Sequence, residues 1–454
     1  MNIKDIYESQ KRYYMSHQTL SYKFRKEALL KLQKAILRLQ PEIEIALKVD
    51  LGKSGAEAYL TEIGQVLHEI TYSLKNLRKW MKNKKVNSGI ANIGAKSYIK
   101  RVPYGNVLIM APWNYPFLLA MSPLIGSIIG GNTTIIKPSE TSSNVANIIK
   151  QLIEEVFDQE YISVILGDSD TAIELLDYKF DFIFFTGSTR VGQIVLNKAA
   201  NNMTPVCLEL GGKSPCIVMD DAKIHLAAKR IMFGKLLNSG QTCVAPDFVY
   251  VHESIKNELI NELISSTKEL YGMNPLIHHD YGKIINKRHY QRLLKLLENQ
   301  NIVLGGFGDG EKIAPTIIDN VNFDSVLMKE EIFGPILPII TFKDIEEVEN
   351  NLINRPTPLA LYLFTTNNKI KHRILNNIPF GGGCVNDTIM HLSNKNLPFG
   401  GVGNSGMGRY HGKTTFETFT VTKSILQQNN LFDIKLRYAP YNSKKDDIIK
   451  KILK

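Results

Sequence analysis

One cysteine and one glutamate stand where residue type and setting allow covalent chemistry. Glu209 closes a short apolar run, Pro205-Val206-Cys207-Leu208, that reads as a buried strand. A carboxylate in such company is costly unless it is neutral, partnered or turned toward a wet cleft. Gly211-Gly212 follows, and such a pair lets backbone pass close to something bulky. Cys243 ends the stretch Ser239-Gly240-Gln241-Thr242-Cys243, in a loop shortly before Pro246. A thiol with a pKa of roughly 8.5 is only slightly ionised at neutral pH, so a nearby base or dipole matters. Glu209 and Cys243 are thus a candidate base and a candidate nucleophile. A free cysteine also serves as a small buried hydrophobe, and this stretch alone leaves both roles open. Asn114, in the loop Trp113-Asn114-Tyr115, is the third candidate. Its amide can donate two hydrogen bonds without adding charge, which suits an oxyanion site. It also suits the plainer task of satisfying the loop's own backbone.

The elements that must position these residues alternate strand and helix. Residues 102–136 carry no charge, yet Pro112, Asn114, Pro116, Pro123, Gly126, Gly130 and Gly131 break the run. A membrane span is excluded by that punctuation. A buried parallel-sheet unit fits: strand 107–111, loop 112–116, helix to about 130, strand 133–136. Lys137-Pro138-Ser139-Glu140 follows that strand, where ligands bind in open α/β sheets. Lys137 and Glu140 are placed to grip ribose hydroxyls, with Ser139 as an N-cap the plainer alternative. Residues 181–186 form a strand, and Gly187-Ser188-Thr189-Arg190-Val191-Gly192 turns into a helix reaching about 200. Free N–H groups and the dipole at such a helix start attract phosphate. The spacing is G-x-x-x-x-G, neither the usual dinucleotide pattern nor a P-loop, and a plain strand-to-helix turn is the alternative. Strand 216–219 leads to Asp220-Asp221, which predicts a helix start. That helix runs to about 238 and is apolar on most sides, as a buried helix would be. Further on, Glu330-Glu331-Ile332-Phe333-Gly334-Pro335 offers a carboxylate pair beside an aromatic. The glycine-dense stretch 398–408 implies close backbone approach or a folding lid.

The whole chain bounds the rest. At 454 residues it calls for two or three domains. Apolar content of 44% with 22% charged is globular composition, with no disordered class implied. Cys207, Cys216, Cys243 and Cys384 show neither C-x-x-C spacing nor a neighbouring histidine pair, so no metal site and no disulfide framework is expected. That usage fits a reducing, cytoplasmic setting, and the charged first residues predict no secretory signal. The net charge of +11 does not come with any nucleic-acid module, so no nucleic-acid partner is expected. Residues 1–80 read as mostly helical, with Ser21 opening one helix and Pro41 interrupting it, and no catalytic cluster is apparent there. Residues 90–101 read as a ribbon joining domains or subunits. The tail carries Lys444, Lys445, Lys450, Lys451 and Lys454 around Ile448, Ile449, Ile452 and Leu453. It is a short basic amphipathic helix, too short for a stable membrane anchor. Docking on its own fold is the expectation, and weak contact with a membrane surface the alternative.

Taken in order, Pro112-Trp113-Asn114, Lys137-Pro138-Ser139-Glu140, Gly187-Ser188-Thr189-Arg190-Val191-Gly192, Leu208-Glu209-Leu210-Gly211-Gly212-Lys213, Gly240-Gln241-Thr242-Cys243 and Glu331-Ile332-Phe333-Gly334-Pro335 closely resemble the aldehyde dehydrogenase superfamily. The resemblance spans nearly the whole chain. The short N-terminus and the Pro398–His411 segment are similar to its class 3, fatty-aldehyde branch, without the long apolar tail of that branch's anchored members. The resemblance implies an α/β fold with a Rossmann-variant cofactor domain (residues 1–80 and 103–207), an α/β catalytic domain (208–395) and a small bridging or oligomerisation β element with the tail (81–102 and 396–454). It implies NAD(P)-dependent oxidation of medium- or long-chain aliphatic or aromatic aldehydes, in a homodimer. Cys243 would attack the carbonyl, and Asn114 with the Cys243 backbone N–H would hold the oxyanion. Glu209 would activate water against the resulting thioester. Gly187, Ser188 and the helix carrying Gly192 would hold the pyrophosphate. Lys137 and Glu140 would hold one ribose, and Glu331 the other, with Phe333 packed beside it. NAD is the expected cofactor and NADP stays open, because Glu140 repels a 2′-phosphate while Lys137 or Arg190 offsets that. A CoA-acylating relative is disfavoured by Glu209, since a thiol acceptor needs a base less than water does.

Overall fold

In the computed structural model, which describes residues 2–453, three sheets divide the chain. Met1 and Lys454, the outermost residues of the expected domain limits and tail, lie outside the described residues. The first sheet has six strands, in the order Gly406–Met407, Val206–Glu209, Phe182–Thr186, Asn106–Met110, Thr133–Lys137, Ile162–Val164. All are parallel except Gly406–Met407. Every residue of Asn106–Met110, Thr133–Lys137 and Phe182–Thr186 is buried. Helices cover both faces, which is why these strands read as unbroken apolar runs. The chain leaves Asn106–Met110 toward Thr133–Lys137 on one side and returns as Phe182–Thr186 on the other. That reversal is a topological switch point, and loops at strand carboxyl ends there form a ligand crevice. The loops concerned carry Asn114 and Gly187-Ser188.

The second sheet has seven strands: Ile302–Leu304, Thr316–Ile318, Ile336–Phe342, Phe248–His252, Pro215–Val218, Ala360–Phe364, Gly382–Val385. Only Ile302–Leu304 runs antiparallel. The third is an antiparallel ribbon of Lys84–Val86, Lys96–Pro103 and Thr420–Gln427. The strand of the expected ribbon begins at Lys96, after a short turn at Ile90–Asn92.

Several boundaries differ from the sequence expectation. The limit between residues 207 and 208 falls inside the strand Val206–Glu209. Gly406–Met407, within the 396–454 segment, joins the first sheet. The helix expected from Asp220 begins at Ile224, because the Asp221 carboxylate instead accepts from the Thr365 and Thr366 hydroxyls at 2.8 and 2.6 Å. Pro41 does not simply end a helix; it sits in the first turn of the next, Gln40–Leu51, where its missing N–H costs nothing. The tail helix Ser443–Ile452 has no fully buried residue, and its apolar Ile448 and Ile449 are half-buried, so the expected docking on its own fold covers that face only in part. Its lysines keep it solvated, and the hydrogen bonds of Lys445 reach only Tyr438 and Pro440 of the same tail.

Candidate active site

The crevice lies between unlike edges of the two large sheets. Asn114, Gly187-Ser188 and Glu209 come from segments leaving strands of the first sheet. Gly211-Gly212, Cys243 and Glu331-Phe333 come from segments entering strands of the second. Between them opens a cavity of about 770 Å³ lined by these residues.

Cys243 follows three consecutive residues in the left-handed region: Asn238 at φ 53°, Ser239 at φ 52° and Gly240 at φ 76°. For the first two that conformation costs on the order of 1–3 kcal/mol each and persists only where surroundings dictate it. They do so here. Asn238 donates from its backbone to Glu57 Oε1 at 2.7 Å and from Nδ2 to the Asn114 carbonyl at 2.7 Å. Ser239 Oγ donates to the Gly282 carbonyl at 2.8 Å, and Gln241 Nε2 to the Lys283 carbonyl at 3.0 Å. A side chain at Gly240 would strike the Gly334 carbonyl. The thiol at the end of this turn faces the cavity, half-buried. Burial, followed by the Glu331 and Glu209 carboxylates, pushes its pKa up.

Glu209 is 2% exposed at the end of its strand. The Cys207 thiol approaches its Oε1 at 3.9 Å, and Oε2 is buried without any partner. Burial holds this carboxyl well above the usual carboxylate range, against the pull of Arg409. Gly406–Met407 explains the glycine-dense segment: close backbone approach pins this strand, and Leu210 N–H donates to the Ser405 carbonyl at 3.1 Å. Asn114 is buried, and its Nδ2 donates to the Gln241 carbonyl at 3.0 Å. One of the two amide hydrogens is therefore committed to the turn carrying Cys243, which leaves one for a ligand.

On the cofactor side, Ser188 caps the helix Thr189–Asn201 by accepting from Val191 N–H. The Thr186 hydroxyl beside it is buried, unpartnered and part of the cavity lining. Burial first, then Asp247, raises the Glu331 pKa to about 8, against the pull of the Gly212 backbone N–H. A Cβ on Gly211 would crowd that carboxylate, so a side chain there would push Glu331 out of this position. Phe333, at φ 52°, turns its ring edge-on to Trp113 with centroids 5.3 Å apart. These features suit a dinucleotide: a helix start for phosphate, an unsatisfied hydroxyl, and a carboxylate with an aromatic at the thiol end. Lys137, Glu140 and Gly192 lie outside the cavity lining. Lys137 is buried and bonds to Pro138 O and to the more exposed Glu140, at 2.9 and 3.4 Å. A Cβ on Gly192 would stand 2.6 Å from Leu210, so this glycine lets the helix close on the strand segment.

Sequence reasoning missed two supports. Lys213 pairs with Asp247 and donates to the carbonyls of Leu327 and Glu330 at 2.7 and 2.9 Å. Asp247 accepts from Ile332 N–H at 2.9 Å, so this pair fixes the loop that carries Glu331. The second lies in residues 1–80, where no cluster was expected. Lys53 and Glu62, both fully buried, form an ion pair at 2.6 Å under the Asn114 loop. Neither has a local motif that reports its partner. Only the proline-bounded loop 112–116, which needs something to hold it, gave a signal.

A family model described as the aldehyde dehydrogenase family matches residues 1–425. The chain belongs to that family, and its closely related branch is class 3-like; it is an NAD(P)-dependent oxidoreductase that converts aldehydes to acids. It is 50% identical over 450 residues to 4,4'-diaponeurosporen-aldehyde dehydrogenase of Staphylococcus aureus, covering 98% of each chain. It is 41% identical to the dimeric NADP-preferring aldehyde dehydrogenase of Canis lupus familiaris, covering 96% of this chain and 98% of that one. Among solved structures, the substrate-bound state of Staphylococcus aureus AldH superposes with a TM-score of 0.98 at 49% identity, over the full length of both chains.

Proposed function

We propose that the chain oxidises medium- or long-chain aliphatic or aromatic aldehydes through a covalent intermediate on Cys243. One observation carries this reading: a half-buried thiol, a buried carboxyl with an unpartnered oxygen and an amide with one free hydrogen border the same cavity. Cys243 Sγ adds to the aldehyde carbon, giving a thiohemiacetal whose oxygen lies with the Asn114 amide and the Cys243 N–H. When bound, the nicotinamide supplies the hydride acceptor. As that carbon gives up its hydride, the proton that began on the thiol leaves to solvent, and the thiohemiacetal becomes a thioester on Cys243. Glu209 takes a proton from water, which attacks the thioester and releases the carboxylic acid and the thiol. The Thr189–Asn201 helix start with Gly187 and Ser188, the Lys137–Glu140 pair, and Glu331 with Phe333 would hold the cofactor's pyrophosphate, adenosine ribose and nicotinamide half. Gly192 serves this only through the helix, by allowing it to close on Leu210. We assign the domains as stated from sequence, with the strand Val206–Glu209 and Gly406–Met407 moved to the cofactor domain.

The test is a panel of aldehydes of increasing chain length, with NAD and NADP, read by reduced-cofactor absorbance. It should include the aldehyde for which the Staphylococcus aureus relative is named. kcat/KM is expected to rise with chain length. A profile that is flat or falls beyond two carbons rejects the substrate class, and acyl-CoA formation on adding CoA rejects the hydrolytic step.

Homodimerisation is proposed through two sheet edges, Thr420–Gln427 and Gly382–Val385, each paired on one side only. The first exposes Val421 and Leu426, and an edge of this kind recruits another strand. No helix among the described residues is long and apolar enough to cross a membrane. The exposed basic tail helix supports weak contact with an anionic membrane surface, and the cysteine usage, four thiols with no disulfide, supports a cytoplasmic setting as the proposal. Sedimentation equilibrium should return twice the 51.2 kDa chain mass; one chain mass rejects the dimer. Anionic vesicles should retain a fraction of the protein that salt releases, and no retention at low salt rejects the surface contact.

A further inference from the structure

We propose that the buried Lys53–Glu62 pair is a positioning device for the Asn114 amide and the Thr242-Cys243 turn. The N-terminal helices thereby help to set the geometry of the reacting centre. The proposal rests on the roles of Asn114 and Cys243 set out above.

The pair holds the Asn114 loop at its middle and at its exit into the following helix. Glu62 Oε2 accepts from the backbone N–H groups of Phe117 and Leu118, at 2.9 and 3.1 Å. These open the helix Leu118–Gly130, so the carboxylate caps the end that favours negative charge. Lys53 Nζ donates to the Asn114 carbonyl at 3.4 Å and lies 3.9 Å from the centre of the Tyr115 ring. The Tyr115 hydroxyl shares a hydrogen bond with Thr242 Oγ1 at 2.6 Å, one residue from the thiol. Asn238 Nδ2 meets the same Asn114 carbonyl. Lys53 and Glu62 thus lie one or two contacts from both loops that border the thiol.

Stability alone is a poor reason for such a pair. Two fully buried charges lose hydration that their attraction must replace, and well-packed apolar residues often serve equally well. Here each charge is aimed at backbone groups of a catalytic loop, which apolar side chains could not hold. Glu62 also sits in a single π-helical turn, Tyr59–Ile63, between Gly55–Ala58 and Gly64–Trp80. Such turns are rare and cluster at functional sites.

A double-mutant cycle between Glu62→Gln and Asn114→Ala tests this, with kcat, NAD affinity and thermal midpoint read for each variant. Glu62→Gln should lower kcat about 10²-fold, as a small misplacement of catalytic groups does, while NAD affinity stays unchanged. Asn114→Ala should cost ~10²–10³ in kcat as a lost oxyanion donor. In the Asn114→Ala background, Glu62→Gln should keep only the part of its loss that runs through the Thr242-Cys243 turn, about tenfold or less, since coupled residues are not additive. If Glu62→Gln does not accumulate as folded protein, Lys53→Met/Glu62→Gln removes both charges together and carries the same cycle. Fully multiplying losses overturn the proposal, as does an unchanged kcat in folded Glu62→Gln. An inert Asn114→Ala instead overturns the oxyanion assignment, and the pair's target with it.

Discussion

Cys243→Ala is expected to abolish aldehyde-dependent reduction of NAD while leaving NAD binding intact. The loss should be on the order of 10⁵–10⁶ in kcat, the scale seen when a covalent nucleophile is removed. No other thiol can substitute. Cys207 and Cys216 are buried, and Cys384 sits 3.4 Å from His391, outside the cavity lining. Folding should survive the change, because the left-handed turn is held by Asn238, Ser239 and Gln241 and not by the sulfur. The wild-type thiol also carries a pH signature. Burial and the two carboxylates favour its neutral form, so iodoacetamide alkylation should be slow at neutral pH and accelerate on the alkaline side. NAD should protect the thiol if the cavity is the cofactor cleft. Turnover of Cys243→Ala within tenfold of wild type would remove the covalent route altogether.

How much of this could be read without coordinates depends on whether a feature is local in the chain. The strand at Phe182–Thr186 and its turn were legible because an apolar run meets a glycine and a capping serine within a few residues. Glu209 and Cys243 were legible as residues at the ends of elements, each next to glycines that announce close approach. The tail helix was legible as an element, but its surroundings were not: amphipathicity predicts an apolar face and says nothing of what covers it. The start of Ile224–Leu236 was misplaced for a related reason. Asp221 has the right chemistry for an N-cap, yet two threonines more than a hundred residues away compete for its carboxylate. Lys53, Glu62, Lys213 and Asp247 were illegible as supports for the same reason, since each acts on a loop distant in sequence. Asn114 shows the limit most sharply. Its amide ties down the Gln241 carbonyl of a different loop, where the plainer sequence reading has it satisfying its own loop's backbone, and it keeps one hydrogen free.

Glu209→Gln should separate the two halves of the reaction. Glutamine keeps the size and leaves an oxygen near Cys207, but it cannot take a proton from water. Formation of the thioester should persist, and its hydrolysis should slow by ~10²–10⁴, the usual worth of a general base. Intact-mass spectrometry after mixing with aldehyde and NAD should then find the chain carrying one acyl group. The pH dependence identifies the base more directly. Burial raises the Glu209 pKa, so its carboxyl is protonated well above the normal carboxylate range and must lose that proton before it can accept one from water. Hydrolysis of the wild-type acyl-enzyme should accordingly climb as pH rises through that raised value and level off above it. The glutamine variant should lack that climb at every pH at which hydroxide alone is too scarce to compete. If the variant turns over normally with no acyl adduct, or keeps the same rising limb, the proton goes elsewhere, and the unpartnered Oε2 of Glu209 has some other use.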